Sequence, residues 1–244
     1  MALQYARLPA PASKFEHIAI LIMLNLLLVL SFMVAVTGMV RYKRLTMPFK
    51  ILSLYFVFEI LIILFDEWEI AKYKTNVIQL HIETSGTYIF FGLIYYFLFK
   101  SKYIKVLILA SVILVIVFSL INSFFLQPYS TTFPTNTTLI TEILYLIFAV
   151  LLFNKMLLYP TEINIIKQST FWYNSAIILF YSSVFLYTTL ANYYQAHKVS
   201  SYIIDYFAYG SIIIFDVLLG IAILTDNKEI PTANDAQLSF RDTE

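Results

Sequence analysis

The chain has 244 residues, of which 60% are hydrophobic and 13% charged, and its formal net charge is +1. A soluble domain is about half apolar and about a quarter charged, so this composition has too little charge to cover a soluble surface, and its balance gives no support to nucleic-acid binding. Cysteine is absent, which excludes disulfide frameworks, thiolate zinc sites and cysteine nucleophiles.

Residues 1–17 read as a short extracytoplasmic tail containing Pro9 and Pro11. Apolar stretches follow at 18–40, 48–65, 77–99, 103–126, 139–159, 171–194 and 202–224. Each is close to the roughly 20 residues that carry a helix across the hydrocarbon core. Membrane strands alternate apolar and polar over about 10 residues, and these runs are longer and apolar on most faces. The prediction is an all-α polytopic membrane protein, a seven-transmembrane helix bundle over residues 18–224. The first run exceeds a signal-peptide core and has no small-residue cleavage site after it, so it is expected to stay.

The second span reaches full length only if its helix continues through Asp66, Glu67, Trp68 and Glu69, and Trp68 suits the headgroup level. In the third span, Asn76, Gln79, Glu83 and Thr87 form one stripe, and His81, Thr84 or Ser85, and Tyr88 form another. A helix polar on two faces cannot show that half to lipid, so it should be central. The fourth span is the most apolar and should be the most lipid-exposed. The loop at 127–138 is uncharged and rich in Thr and Pro. In the fifth span Glu142 and Tyr145 share a face, in the sixth Asn174, Tyr181, Thr188 and Asn192, and in the seventh Asp205, Tyr209 and Asp216. Residues 225–244 are polar, with both charge signs and no apolar period, and are expected to be a disordered cytoplasmic tail. No segment is expected to be long enough for a soluble domain, so output would pass through a partner.

Positive charge sets the direction. The first, third and fifth loops hold nine Lys and Arg, against three in the second, fourth and sixth. The expected placement is the inner, plasma membrane of a bacterium, multi-pass, N-terminus outside and C-terminus cytoplasmic. None of the seven prolines lies inside a span, which argues against the broken helices that many transporters use to bind substrate. The plan resembles microbial rhodopsins in topology alone. The last span has no lysine to hold retinal and no histidine for an intramembrane zinc hydrolase. No cofactor is expected.

An ionisable residue inside a span is a functional candidate by default. Here these are Glu59, His81, Glu83, Glu142, Asp205 and Asp216. No Lys or Arg lies inside a span to pair the acids, so they are protonated or meet a proton, a metal ion or an amine. His81 and Glu83 point about 200° apart on a helix, which disfavours a shared metal, and no metal site is expected. The expectation is an outward-facing polar cavity lined by Glu59, Glu83, Glu142, Tyr145 and Asp205, with His81 among its candidates and Asp216 deeper, at its floor or paired separately. Asn122, Asn174 and most Ser and Thr read instead as interhelical glue.

The segments LHIETSGTYIFFGLIYYF and STFWYNSAIILFYSS, with a length near 240, resemble a group of small stand-alone seven-helix membrane proteins found in Bacteroidota. That resemblance implies a sensory or signalling role and lends no catalytic motif. Three functions compete: a receptor-like sensor acting through a cytoplasmic or membrane partner, a proton- or cation-coupled transporter, and an enzyme acting on lipid.

Overall fold

A computed structural model describes residues 14–158, 165–189, 193, 197 and 202–227. The tails at 1–13 and 228–244, and Asn192, lie outside the described residues. So does the side chain of Asp205, whose backbone falls in the last helix.

The described residues are all-helical, with no strand. The seven helices are α1 (Lys14–Arg41), α2 (Met47–Tyr73), α3 (Val77–Leu98), α4 (Lys102–Ile121), α5 (Thr135–Leu158), α6 (Ser169–Thr189) and α7 (Tyr202–Thr225). Five are long and apolar enough to cross a membrane; α3 and α6 are not among them. The bundle surface agrees with a membrane location. On α4, Ile113 and Leu114 are 62% and 67% exposed, and Val106, Leu107, Val117 and Leu120 are exposed beside them. Such a continuous apolar face is foreign to a soluble monomer.

The helices close into a ring in chain order. Each of α1, α2 and α3 packs on the next, α3 also packs on α5, α5 on α6, α6 on α7, and α7 returns to α1. The fourth helix lies against α3 and α5 and buries the least of its length among the five apolar helices. The third is the central one, with Gln79, His81, Glu83, Thr87, Tyr88, Phe91 and Tyr95 all buried. Aromatic rings fill the ring's interior: Tyr55 packs on Phe91 at 4.7 Å, Phe180 on Phe215 at 4.6 Å and Tyr145 on Tyr181 at 4.4 Å between centroids. Close crossings use small residues singly. A Cβ on Gly38 of α1 would stand 2.5 Å from Ser53 Oγ of α2.

Helix ends show why the boundaries differ from the hydropathy reading. The α2 helix runs on through Asp66–Glu69, as its length required. It stops at Lys74, which adopts φ 59° and returns its N–H to Ile70 O at 3.0 Å. Three residues later α3 begins, and Glu69 caps it: its carboxylate accepts the N–H of Ile78 at 3.0 Å and of Gln79 at 2.8 Å. Glu69 is therefore a buried cap rather than an interfacial charge. At the other end of α3, Lys155 Nζ donates to Leu98 O at 2.7 Å, a cation on a helix C-terminus. The fifth helix starts at Thr135, a turn before its apolar run, directly after Pro134.

Candidate functional site

A cavity lies inside the ring, at the end where α3 and α5 begin and α2 and α6 end. It has a volume of about 100 Å³. One wall is α3, with Glu83, Thr84 and Thr87; another is α5, with Thr138, Glu142 and Tyr145; the third is α6, with Phe180, Tyr181 and Thr188. Phe133 and Pro134, from the connection before α5, close it above.

That connection is fastened down, which the sequence alone does not reveal. After α4 the chain makes a wide turn over Asn122–Leu126. Gln127 then gathers the segment: its Oε1 accepts from Asn122 Nδ2 and from the backbone N–H of Asn136, both at 3.0 Å, and its Nε2 donates to Thr135 Oγ1 at 2.6 Å. His81 reaches the same segment, with Nδ1 2.7 Å from Ser123 Oγ and Nε2 3.0 Å from Thr132 O. Phe133 is thereby pressed onto Val77 and Leu80.

Glu142 is 1% exposed. Its two oxygens lie 2.8 and 2.9 Å from Thr188 Oγ1, the one hydrogen-bond donor that reaches it among the described residues. Glu83 accepts from Gln79 Nε2, one turn before it on α3. The hydroxyls of Tyr145, Tyr181 and Thr87 line the same space, are buried, and have no hydrogen-bond partner within 3.5 Å among the described residues. Buried hydroxyls are normally satisfied, so these three are exceptions on one wall, and those of Tyr145 and Tyr181 are near enough to interact with each other. Among the described residues no Lys, Arg or His lines the cavity. Among the described residues no three His, Asp or Glu side chains converge on a point that could hold a metal ion.

Below the cavity the polar character continues. Tyr55 lies within electrostatic reach of Glu59, Asp216, Glu83 and Tyr145. Asp216 is fully buried and accepts from Ser31 Oγ of α1 at 3.0 Å. Asn174 behaves as glue, accepting from Tyr95 OH at 3.2 Å and donating to Ala149 O at 2.9 Å.

The structure thus gathers Glu83, Glu142 and Tyr145 from the sequence-derived set. It sets Glu59 and Asp216 in a deeper group that does not line the cavity, and it turns His81 away from the cavity onto the covering segment. Tyr181, Thr188, Thr87 and Phe133 are additions. The first two were visible as a polar stripe on the sixth span, but a stripe alone does not separate a cavity wall from glue. Comparison of the chain with protein-family models, with curated proteins and with solved structures finds no match.

At the opposite end of the bundle stands a second polar centre. Asp226, just past α7, accepts the backbone N–H of Thr46 at 2.7 Å and Ser169 Oγ at 3.1 Å, and its own carbonyl accepts from Arg41 Nη2 at 2.9 Å. Thr46 and Ser169 sit at the starts of α2 and α6. Helix N-termini carry partial positive charge, so one carboxylate ties two of them to the end of a third helix.

Proposed function

We propose that the protein is a seven-span, receptor-like membrane protein whose cavity takes a small ligand and whose helices relay its arrival to a signalling partner. The observation that carries this reading is the cavity itself, with two buried carboxyl side chains and three orphaned hydroxyls facing one space. All seven helices cross. The two that fall short on hydropathy, α3 and α6, keep their polar groups against neighbouring helices, where lipid does not meet them, and α3 at 22 residues is about 33 Å long. The Lys and Arg distribution puts the cavity on the outer side and Asp226 on the cytoplasmic side of a bacterial inner membrane.

The sixth helix supports a relay. It places Tyr181 and Thr188 on the cavity and Ser169 on Asp226, so one unbroken rod joins ligand site and inner latch. A ligand drawing Thr188 off Glu142 tilts that rod against the latch. Unbroken helices disfavour alternating access.

The test is a thermal-shift screen of small water-soluble compounds against the full chain in lipid nanodiscs, repeated on Tyr181→Phe, followed by uptake and product assays for each hit. Saturable stabilisation that Tyr181→Phe weakens, with no uptake into proteoliposomes and no chemical conversion, is the expected result. Accumulation of the hit inside liposomes would replace the receptor reading with a transporter, and conversion would replace it with an enzyme.

A further inference from the structure

The cavity does not use every buried polar group of the bundle. We infer that the turn between α2 and α3 holds a calcium ion, bound by the carboxylate of Asp66 and the side-chain carbonyl oxygens of Asn76 and Gln79, with water completing its shell.

The turn brings these residues together. Asp66 and Glu69 stand one turn apart on one face of α2, and the helix stops at Lys74 in the left-handed conformation. Asn76 then occupies the cap position of α3, where an Asn side chain ordinarily accepts an N–H from the second or third residue of the helix. Here Glu69 has taken both of those groups, the N–H of Ile78 at 3.0 Å and of Gln79 at 2.8 Å. The amide of Asn76 makes no cap bond and is left free for another task. It lies within electrostatic reach of Asp66, and so does Glu69. Glu69, Asn76 and Gln79 are fully buried, and Asp66 is 5% exposed.

Counting donors and acceptors shows what is missing. Asp66 Oδ1, Asn76 Oδ1 and Gln79 Oε1 are buried with no hydrogen-bond partner within 3.5 Å among the described residues. Gln79 spends its Nε2 on Glu83. The one orphaned donor beside these three acceptors is Asn76 Nδ2, and turning that amide over leaves the count unchanged. Buried polar groups are normally satisfied. A water molecule brings two hydrogens for the three oxygens, whereas a cation answers all three at once.

Charge agrees. Asp66 and Glu69 place two carboxyl groups at the turn, where an uncompensated buried charge is expensive. The next basic residue along the chain, Lys72, lies instead over the rings of Trp68 and Tyr73, at 4.9 and 5.0 Å from their centroids. The ligand atoms are all oxygen, which suits a hard cation and gives zinc neither imidazole nor thiolate. Calcium accepts carboxylates, Asn and Gln carbonyls and water in a flexible shell of about six to eight, while magnesium demands a near-ideal octahedron and keeps its own water. Such a shell does not need three converging acids, and among the described residues no such triad occurs. An ion at this place ties the end of α2 to the first turn of α3, the helix that carries Glu83 and Thr87 to the cavity wall.

The experiment uses the full chain in phosphatidylcholine nanodiscs, whose headgroups carry no net charge to collect the ion. The protein is stripped with chelator and titrated with calcium, magnesium or sodium chloride at matched ionic strength, and melting temperature is read. Terbium(III), a calcium stand-in whose emission is excited through a nearby indole such as Trp68, gives a second readout independent of stability. Calcium is expected to stabilise saturably, half-maximal at about 10⁻⁴–10⁻³ M, the range of extracellular calcium modules. Magnesium is expected to be at least about tenfold weaker and sodium silent. Asp66→Asn is expected to weaken calcium at least about tenfold, since it removes a buried charged ligand, and to abolish terbium emission. Asn76→Ala should weaken both, and Glu67→Gln, at an exposed neighbouring acid, should change neither. The wild-type comparison of calcium with magnesium, by melting and by displacement of terbium, decides even if a variant fails to fold. Equal affinity for calcium and magnesium, or an equal calcium response in wild type and Asp66→Asn, overturns the inference. No calcium effect on melting together with no terbium emission overturns it as well and leaves the three oxygens to water.

Discussion

The buried carboxylates fall into two kinds, and one pair of substitutions separates them. Glu69 makes two charge-assisted bonds to the first turn of α3, at 3.0 and 2.8 Å, and is fully buried. Replacing it by alanine strips the cap and leaves two N–H groups without an acceptor. Loss of an N-cap costs about 0.5–2 kcal/mol, and hydrogen bonds to a charged group are worth about 1.5–3 kcal/mol. Glu69→Ala is therefore expected to cost about 2 kcal/mol, which for a chain of this size is a fall of about 4–8 °C in melting temperature. Glu142 is as deeply buried but has a single hydroxyl for company. Glu142→Gln keeps the volume and an acceptor for Thr188 while removing the carboxylate, so it is expected to be neutral or to raise stability by up to about 1–2 kcal/mol, as relief at functional sites commonly does. Melting of both variants in one detergent, beside the exposed-position control Glu67→Ala, reads the contrast. The reasoning is refuted if Glu69→Ala falls within about 0.5 kcal/mol of that control, the range for inert surface changes, or if Glu142→Gln falls as far as Glu69→Ala.

Gly38→Ala puts a methyl 2.5 Å from Ser53 Oγ and 2.8 Å from Ser53 Cβ, so α1 and α2 must part at a cost of about 1–3 kcal/mol; Gly38→Ala/Ser53→Gly should recover most of it in the same melt. The chain has no cysteine, so single cysteines at exposed Thr131 and Lys43 report topology cleanly. A membrane-impermeant maleimide is expected to label Thr131→Cys in intact spheroplasts and Lys43→Cys only after lysis, and the reverse pattern inverts the orientation. Asp226→Ala removes the shared acceptor at the starts of α2 and α6 and should lower stability by about 1–2 kcal/mol, with Asp226→Asn intermediate; equal melting of all three proteins removes the latch.

Composition and periodicity carried the helical architecture because both depend on local spacing. The stripes on the third span made α3 central, and the plain apolar run of the fourth put α4 at the rim; both hold in the structure. Partner choice is a different matter. Glu59 and Glu69 are both acids of the second helix, ten residues apart, yet Glu69 caps α3 while Glu59 lies within electrostatic reach of Tyr55 inside the ring. Glu83 and His81 are two residues apart, and the 200° between them sends one into the cavity and the other to Ser123 and Thr132. Whether a polar stripe becomes glue or a wall depends on which helix comes opposite. Asn174 met Tyr95 and Ala149, while Tyr181, seven residues on along the same face, met Tyr145 at the cavity wall.

On the proposed reading that all seven helices cross, the same geometry accounts for the two that hydropathy passes over. A sliding average weighs all faces of a helix equally, while lipid meets only the outer ones. In α3 the polar side chains Gln79, Glu83 and Thr87 are buried, whereas Ile82 and Phe97 are exposed. In α6, Tyr173, Asn174 and Tyr181 are buried and Leu179 is exposed. The serines that remain outside, Ser182 and Ser183, return their hydroxyls to carbonyls one turn earlier, at 2.6 Å each, and so offer lipid no unsatisfied donor. Both helices line the cavity, and so does α5, which is apolar enough to cross. A polar wall therefore lowers the average of a helix below the spanning range only where the groups it turns inward outweigh its apolar outer face, as in α3 and α6, which with α5 enclose Glu83, Glu142, Tyr145 and Tyr181.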